Sequence, residues 1–122
     1  MISLNLRSSA LIAVLAAFTP AAYAQQPPDT VASDAYANTA SGSGALQSLQ
    51  PTNGGIDNSA FGLDALQVNT TGLSNTAVGA YALVSNTSGS RNNAVGTSAL
   101  FSNTTGIDNI AVGTGADRKS VV

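Results

Sequence analysis

The sequence has 122 residues, a formal net charge of −2 at pH 7, and only 8% charged residues. It contains no His, Cys, Trp or Glu, so the imidazole ligands, thiol nucleophiles and most of the general acids that enzymes use are missing. We therefore expect no enzyme activity, no cofactor and no bound metal. Because the sequence has no basic patch, we also expect no nucleic-acid partner.

The N-terminal segment, residues 1–24, has the three-part pattern of a secretory signal peptide. One basic residue, Arg7, precedes the apolar run Ala10–Phe18, and small residues at Ala22 and Ala24 occupy the positions that signal peptidase reads. The run is too short to cross a bilayer as a helix. The pattern predicts cleavage between Ala24 and Gln25 and export of the remaining chain. An N-terminal core helix is the alternative interpretation.

Residues 25–37 are predicted to form a flexible lead-in to the folded part. Pro27 and Pro28 hold the chain extended at its start. No Cys follows the predicted cleavage site, which excludes a lipid anchor of the lipoprotein type and any disulfide.

Residues 38–116 contain a repeat with constant spacing. Four units begin with Asn-x-Ala-(Val/Phe)-Gly, and their first residues are the evenly spaced Asn58, Asn75, Asn92 and Asn109. The glycines at the fifth position are Gly62, Gly79, Gly96 and Gly113. Three units continue to Asn-Thr-x-Gly, in which the asparagines are Asn69, Asn86 and Asn103. A weaker copy begins at Asn38, and its longer spacing to the next unit is explained by the turn-rich stretch QSLQPTNGGID.

The length of the seventeen-residue unit predicts an all-β fold, a parallel β-solenoid or β-roll with one coil per repeat. Helical repeats need about thirty residues or more, and frequent Gly, Asn, Ser and Thr disfavour helix. We expect two short strands per coil, one at Asn-x-Ala-Val and one at Ala-Leu-x-Ser. The fifth-position Gly should bend the chain between them at positive φ, which only Gly adopts without steric cost.

Stacking of identical coils predicts columns of identical side chains. The column Asn69, Asn86 and Asn103 should form a ladder of side-chain amides, and the Thr that follows each Asn should form an outer rank. We expect two Ala, one Val or Phe and one Leu to point inward in each coil. We also expect a core position for Tyr81 and Phe101; the alternative is that one of them lies on the outer face and contributes to an adhesive patch. Such a core is thin, which favours an obligate oligomer.

The units NTAVGAYALVSNTSG and NNAVGTSALFSNTTG resemble the head repeats of YadA-like trimeric autotransporter adhesins, and related repeats of bacterial and phage fibre proteins. The resemblance covers residues 38–116 and implies a left-handed β-roll wound as a homotrimer at the bacterial surface. The best-known head repeat of the family is shorter than the unit in this chain, and no heptad stalk or membrane anchor is visible. Attachment to the cell surface or outer membrane is therefore expected only through an anchor outside this sequence, and without such an anchor the exported chain is expected to be secreted.

The repeat pattern stops after Ala116, and residues 117–122 read DRKSVV. Asp117 stands where the preceding units have Leu. This string resembles the in-frame translation of a common short-read sequencing adapter, which predicts an artefactual tail and a natural gene that continues. A divergent C-terminal cap is the alternative.

Several motifs have competing interpretations. Asn69, Asn86 and Asn103 lie in glycosylation sequons, but their recurrence at a turn favours a structural role. Gly-Ile-Asp at Asp57 and Asp108 could suggest Ca²⁺, but only two of four turns carry it. For the whole chain, the alternatives to an adhesin head are a structural module of a fibre or tail-spike protein and, with less support, an ice-binding solenoid with a Thr rank.

Overall fold

The computed structural model describes residues 32–118. Within them the chain forms a parallel β-solenoid of about four coils, so the all-β solenoid predicted from the repeat is confirmed. The predicted signal peptide, the start of the predicted lead-in and residues 119–122 lie outside the described residues.

The strands of residues 32–118 form one six-stranded sheet whose spatial order follows the sequence. The strands are β1 (Ala32–Ser33), β2 (Thr39–Ser41), β3 (Ser59–Phe61), β4 (Thr76–Val78), β5 (Asn93–Val95) and β6 (Ile110–Val112). Strands β2 to β6 are parallel, and the central Ala of each strand pairs with the central Ala of the next. Each parallel neighbour therefore lies one full coil further along the chain.

The insertion in the first coil lies in a turn, as its sequence predicts. Ala40 aligns with Ala60 across the sheet in spite of the longer spacing. A short 3₁₀ turn at Pro51–Asn53 takes up part of the additional length, and Gly54 ends it at a φ of 119°. Residues 32–118 contain no α-helix, and none of their helical segments is long and apolar enough to cross a membrane.

The prediction of a second strand at Ala-Leu-x-Ser is wrong. These residues form a series of turns, in which Leu66, Leu83 and Leu100 have φ of 52°, 51° and 51°. A left-handed residue cannot belong to an extended strand. The segment still stacks, because the Leu66 amide donates to the Ala82 carbonyl in the next coil at 3.0 Å. Each coil therefore contains one strand and a run of hydrogen-bonded turns.

The fully buried apolar residues of an inner coil are two Ala and one Leu, such as Ala77, Ala82 and Leu83. The prediction that Val or Phe also points inward is wrong: Phe61 and Val78 are each 39% exposed. Successive side chains of a strand point to opposite faces of the sheet. Once the central Ala points inward, its Val or Phe neighbour must point outward.

Tyr81 also differs from the sequence expectation. The sequence predicts a core position for it, but its side chain lies on the surface, 38% exposed, at a residue whose φ is 61°. Phe101 is half-buried. Tyr81 and Phe101 both lie in the run of turns that follows the fifth-position Gly, where side chains do not alternate between two faces as they do in a strand.

Candidate binding surface

A ladder of buried amides runs along the turn that contains Asn69, Asn86 and Asn103. The Asn86 Nδ2 donates to the Asn69 Oδ1 at 2.9 Å, and the Asn103 Nδ2 donates to the Asn86 Oδ1 at 3.0 Å. The same Asn86 Nδ2 also donates to the Gly89 carbonyl at 2.9 Å. The predicted amide ladder is confirmed. Because these amides are buried, the recurring sequons have a structural explanation.

A second buried amide ladder, which the sequence did not lead us to expect, lies at the first position of the repeat. Its members are Asn38, Asn58, Asn75, Asn92 and Asn109. The Asn75 backbone amide and Nδ2 both donate to the Asn58 Oδ1, at 3.0 and 3.1 Å, and the Asn75 Nδ2 also donates to the Gly89 carbonyl at 2.8 Å. The recurrence of Asn at this position, two residues before an inward Ala, is the signal that could have revealed it.

The fifth-position glycines bring consecutive coils close together at the end of each strand. Gly62, Gly79 and Gly96 have φ of 135°, 128° and 131°, the positive values that the sequence predicts. A Cβ built on Gly79 would lie 2.6 Å from the carbonyl carbon of Gly96 in the next coil. These positions therefore require Gly both for the bend and for the close stacking of backbones.

The outward side of the strands carries an exposed apolar column. We call it the outer strand column, and its members are Phe61, Val78, Val95 and Val112. Val95 is half-buried, and Val112 at the C-terminal end is 70% exposed. Leu63 and Ile110 extend the apolar surface beside the column and are 43% and 77% exposed. Repetition of one apolar side chain per coil makes a continuous apolar ridge along these strands.

The predicted rank of Thr residues lies on the turn that follows the Ala-Leu-x-Ser stretch of each coil, which we call the Leu segment. The hydroxyl of Thr70 donates to the Thr87 carbonyl at 3.0 Å, and the hydroxyl of Thr87 donates to the Thr104 carbonyl at 3.1 Å. These hydroxyls are therefore engaged in stacking the coils. A rank of this kind offers fewer free hydroxyl donors to bound water than a rank of unpaired Thr.

Charged side chains are sparse among residues 32–118. Arg91 and Asp108 form a bidentate ion pair across adjacent coils, with Nε–Oδ1 and Nη2–Oδ2 distances of 2.6 and 2.9 Å. The hydrogen bond from Arg91 holds the pKa of Asp108 below its usual value. Asp57, in the other Gly-Ile-Asp motif, lies three coils away from Asp108 in the same column. Residues 32–118 contain no cluster of three acidic, His or Cys side chains that could hold a metal ion.

The repeated features are two internal amide ladders, a Gly bend and one apolar ridge. Comparisons of the chain with protein-family models, with curated proteins and with solved structures give no match.

Proposed function

We propose that this chain forms the head of an exported bacterial surface adhesin, which assembles as a homotrimer and binds by multivalent contact without catalysis. The observation that carries the proposal is the outer strand column, a row of exposed apolar side chains in strict register on stacked coils. The likeness of the repeat to YadA-like heads supports the same interpretation.

The outer strand column suits contact with a second and third copy of the chain. Its side chains repeat at the spacing of neighbouring strands, about 4.8 Å, so the columns of two copies have the same period and can interleave. The residues at the second and sixth positions of the repeat flank the column, and none of them is charged within residues 38–116. Burial of an exposed apolar ridge also compensates for the small core, which is built from Ala and Leu.

Multivalency follows from the repeat itself. Each coil presents the same kinds of exposed turn residues, and a trimer presents three copies of every coil. Weak contacts made several times by linked modules raise the apparent affinity by factors of about 10² to 10⁴ without any new contact. A low-charge repetitive surface is therefore suited to adhesion and not to recognition of a single small ligand.

The oligomer is tested by sedimentation of the exported chain and of two Lys variants. Val95→Lys places a charge in the outer strand column and should convert trimers into monomers. Thr105→Lys places the same charge on an exposed turn outside the column and should leave the trimer intact. A wild-type chain that is monomeric at all concentrations would contradict the homotrimer.

The adhesive role is tested by coating beads with the trimer and measuring their attachment to host cells and extracellular matrix. Attachment that falls with Val95→Lys but not with Thr105→Lys would support multivalent adhesion. A stable trimer that attaches to none of these surfaces would instead support the structural module of a fibre or tail-spike protein. A thermal hysteresis assay on the same sample tests the ice-binding alternative.

A further inference from the structure

The N-terminal edge of the solenoid is covered by a short segment that comes just before the first coil. Strand β1 pairs antiparallel with β2, with Ala32 opposite Ala40 and Ser33 opposite Thr39. The segment lies in the stretch predicted as a flexible lead-in, so ordered structure begins before residue 38. It is the one antiparallel pairing in the sheet formed by residues 32–118.

Asp34 follows β1 directly, and its carboxylate accepts three hydrogen bonds. Its Oδ1 accepts the backbone amides of Tyr36 at 2.8 Å and Asn38 at 2.9 Å. Its Oδ2 accepts the Asn38 Nδ2 at 3.0 Å. Asn38 is the first member of the amide ladder at the start of the repeat, and it is 3% exposed. The carboxylate therefore contacts the end of that ladder.

These contacts reproduce those between two successive members of the ladder. Within the ladder, the amide oxygen of one Asn accepts both the backbone amide and the Nδ2 of the next, as Asn58 does for Asn75. Asp34 accepts the same two groups from Asn38. The Nδ2 of a ladder Asn also donates a hydrogen bond to a glycine carbonyl, as the Asn38 Nδ2 does to the Gly55 carbonyl at 2.8 Å. An ionised carboxylate has no hydrogen to donate, so it requires no such acceptor.

We propose that Asp34 is the N-terminal terminator of the amide ladder and that, together with β1, it closes this end of the solenoid to further stacking. An open strand edge with free donors pairs readily with another chain, and natural sheets cover such edges. Loss of the carboxylate contacts would leave the Asn38 donors and the edge of β2 available for pairing. The terminator is a property of the fold and does not depend on the adhesive role.

The terminator is sensitive to acid. Hydrogen bonds from the Asn38 side chain and backbone, and then from Tyr36, lower the pKa of Asp34 below its ordinary value of 3.8. A lowered pKa in the folded state stabilises the fold above the ordinary value, and the contribution is lost as the pH falls through the lower, folded value. The other titratable groups on the turns packed against Asp34 are the Tyr36 phenol and the Asp57 carboxylate. The backbone amide of Asp57 donates to the Tyr36 carbonyl, which holds these two turns together.

The test compares Asp34→Ala and Asp34→Asn with the control Asp57→Asn in the full chain. Asp57→Asn removes the same charge from a neighbouring turn and keeps a residue that tolerates its φ of 58°. Asp34→Ala removes both carboxylate oxygens and therefore all three hydrogen bonds. Asp34→Asn keeps an amide oxygen, which can accept both Asn38 donors as ladder oxygens do, but it does not titrate in acid. Hydrogen exchange at Asn38, measured against Asn92 in the same molecule, reports opening of the terminator.

At pH 7, Asp34→Ala should speed exchange of the Asn38 backbone amide about tenfold relative to that of Asn92. Loss of one net hydrogen bond shifts a local opening equilibrium by about this factor. Asp34→Asn and Asp57→Asn should leave the ratio unchanged. When the pH falls from about 4 to about 2, the ratio should rise in the wild type and in Asp57→Asn but not in Asp34→Asn. Equal protection of Asn38 in Asp34→Ala and the wild type, or an acid response retained by Asp34→Asn, would overturn the proposal.

Sedimentation at pH 7 tests the closing of the edge. Asp34→Ala should form assemblies larger than those of the wild type, whereas Asp57→Asn should not. Assemblies of wild-type size in Asp34→Ala would overturn the edge-closing role.

Discussion

The side-chain amide of Asn86 donates to that of Asn69 at 2.9 Å, and both residues are fully buried. The amide oxygen of Asn86 accepts a hydrogen bond from the Nδ2 of Asn103. Asn86 therefore donates to one neighbouring coil and accepts from the other. Buried polar groups are stabilising only when their hydrogen bonds are complete, and a partly satisfied network is costly. The interior of this solenoid is therefore held by amide pairing as well as by apolar contact.

Asn86→Asp should be one of the most damaging single-atom changes in the chain. The substitution replaces the donor that faces the Asn69 oxygen and the Gly89 carbonyl with a carboxylate oxygen, which places negative charge against two acceptors. Leaving a buried charge without a partner costs about 3–5 kcal/mol. Urea-induced unfolding of the variant at pH 7 measures the loss.

Asn53→Asp is the matched control for this change. Asn53 is exposed in the 3₁₀ turn of the first coil, and its Nδ2 contacts only the Gln50 side chain at 3.2 Å. The same chemical change there should alter the free energy of unfolding by less than about 0.5 kcal/mol. Similar losses for the two variants would show that the ladder does not determine stability.

The repeat allows the architecture, the Gly bends and one ladder to be predicted, because all three depend only on which residue recurs at which spacing. Asn69, Asn86 and Asn103 precede Thr at a turn, where side-chain amides commonly bond to the backbone. The ladder that begins at Asn38 is harder to find. Its members stand next to a strand, where Asn is normally disfavoured, and nothing in a single unit indicates that they point inward.

The conformation of the Leu segment could not be predicted from residue types. Leu83 adopts a φ of 51°, although non-Gly residues with positive φ are mostly Asn, Asp or His. The strained conformation is accepted because it places Leu83 in the fully buried core of the coil. Tertiary packing therefore overrides local preference at Leu83, which is why the strand predicted at Ala-Leu-x-Ser is not found.

We expect the exported chain to begin at Gln25. The apolar run Ala10–Phe18 and the small residues Ala22 and Ala24 predict one cleavage, which removes residues 1–24. Intact-mass measurement and N-terminal sequencing of protein recovered outside the cytoplasm check the site. A variant with Ala24→Gln should accumulate with residues 1–24 attached, and a wild-type exported chain that retains Met1 would rule out this route.

Asp108→Asn should destabilise the fold slightly and only above the pH at which Asp108 is ionised. The hydrogen bond from Arg91 lowers the pKa of Asp108 from its ordinary value of 3.8. The stabilisation is therefore complete above that value and is lost as the pH falls through the lower, folded value. The pair is more than half exposed, at 53% and 59%, so water and salt screen it. We expect the melting temperature to fall by less than about 5 °C at pH 7.

The control for the ion pair is Asp57→Asn, which changes the same position of the repeat beside Ser74 instead of Arg91. At pH 7 its melting temperature should match that of the wild type. The difference between Asp108→Asn and the wild type should vanish in strong acid and shrink at high salt. A difference that persists under both conditions would show that Asp108 acts through something other than the pair.

Gly96→Val should damage the fold far more than Thr97→Val. Gly96 has a φ of 131°, and a Cβ there would lie 2.5 Å from the carbonyl carbon and oxygen of Gly113 in the next coil. Forcing a β-branched residue into this conformation costs about 1–3 kcal/mol before the contact is counted. Thr97 is exposed, so its change to Val should alter the free energy of unfolding by less than about 0.5 kcal/mol. Thermal unfolding followed by circular dichroism compares the two variants.

A second pair of variants separates backbone strain from stacking. Gly113 has nearly the same φ, 123°, but a Cβ there would meet only the Ala116 Cβ, at 3.9 Å. Gly113→Ala therefore reports the cost of the conformation alone, whereas Gly96→Ala adds the clash with the backbone of the next coil. Gly96→Ala should lower the melting temperature more than Gly113→Ala does. If the two variants melt together, the need for Gly lies in the bend and not in the close approach of coils.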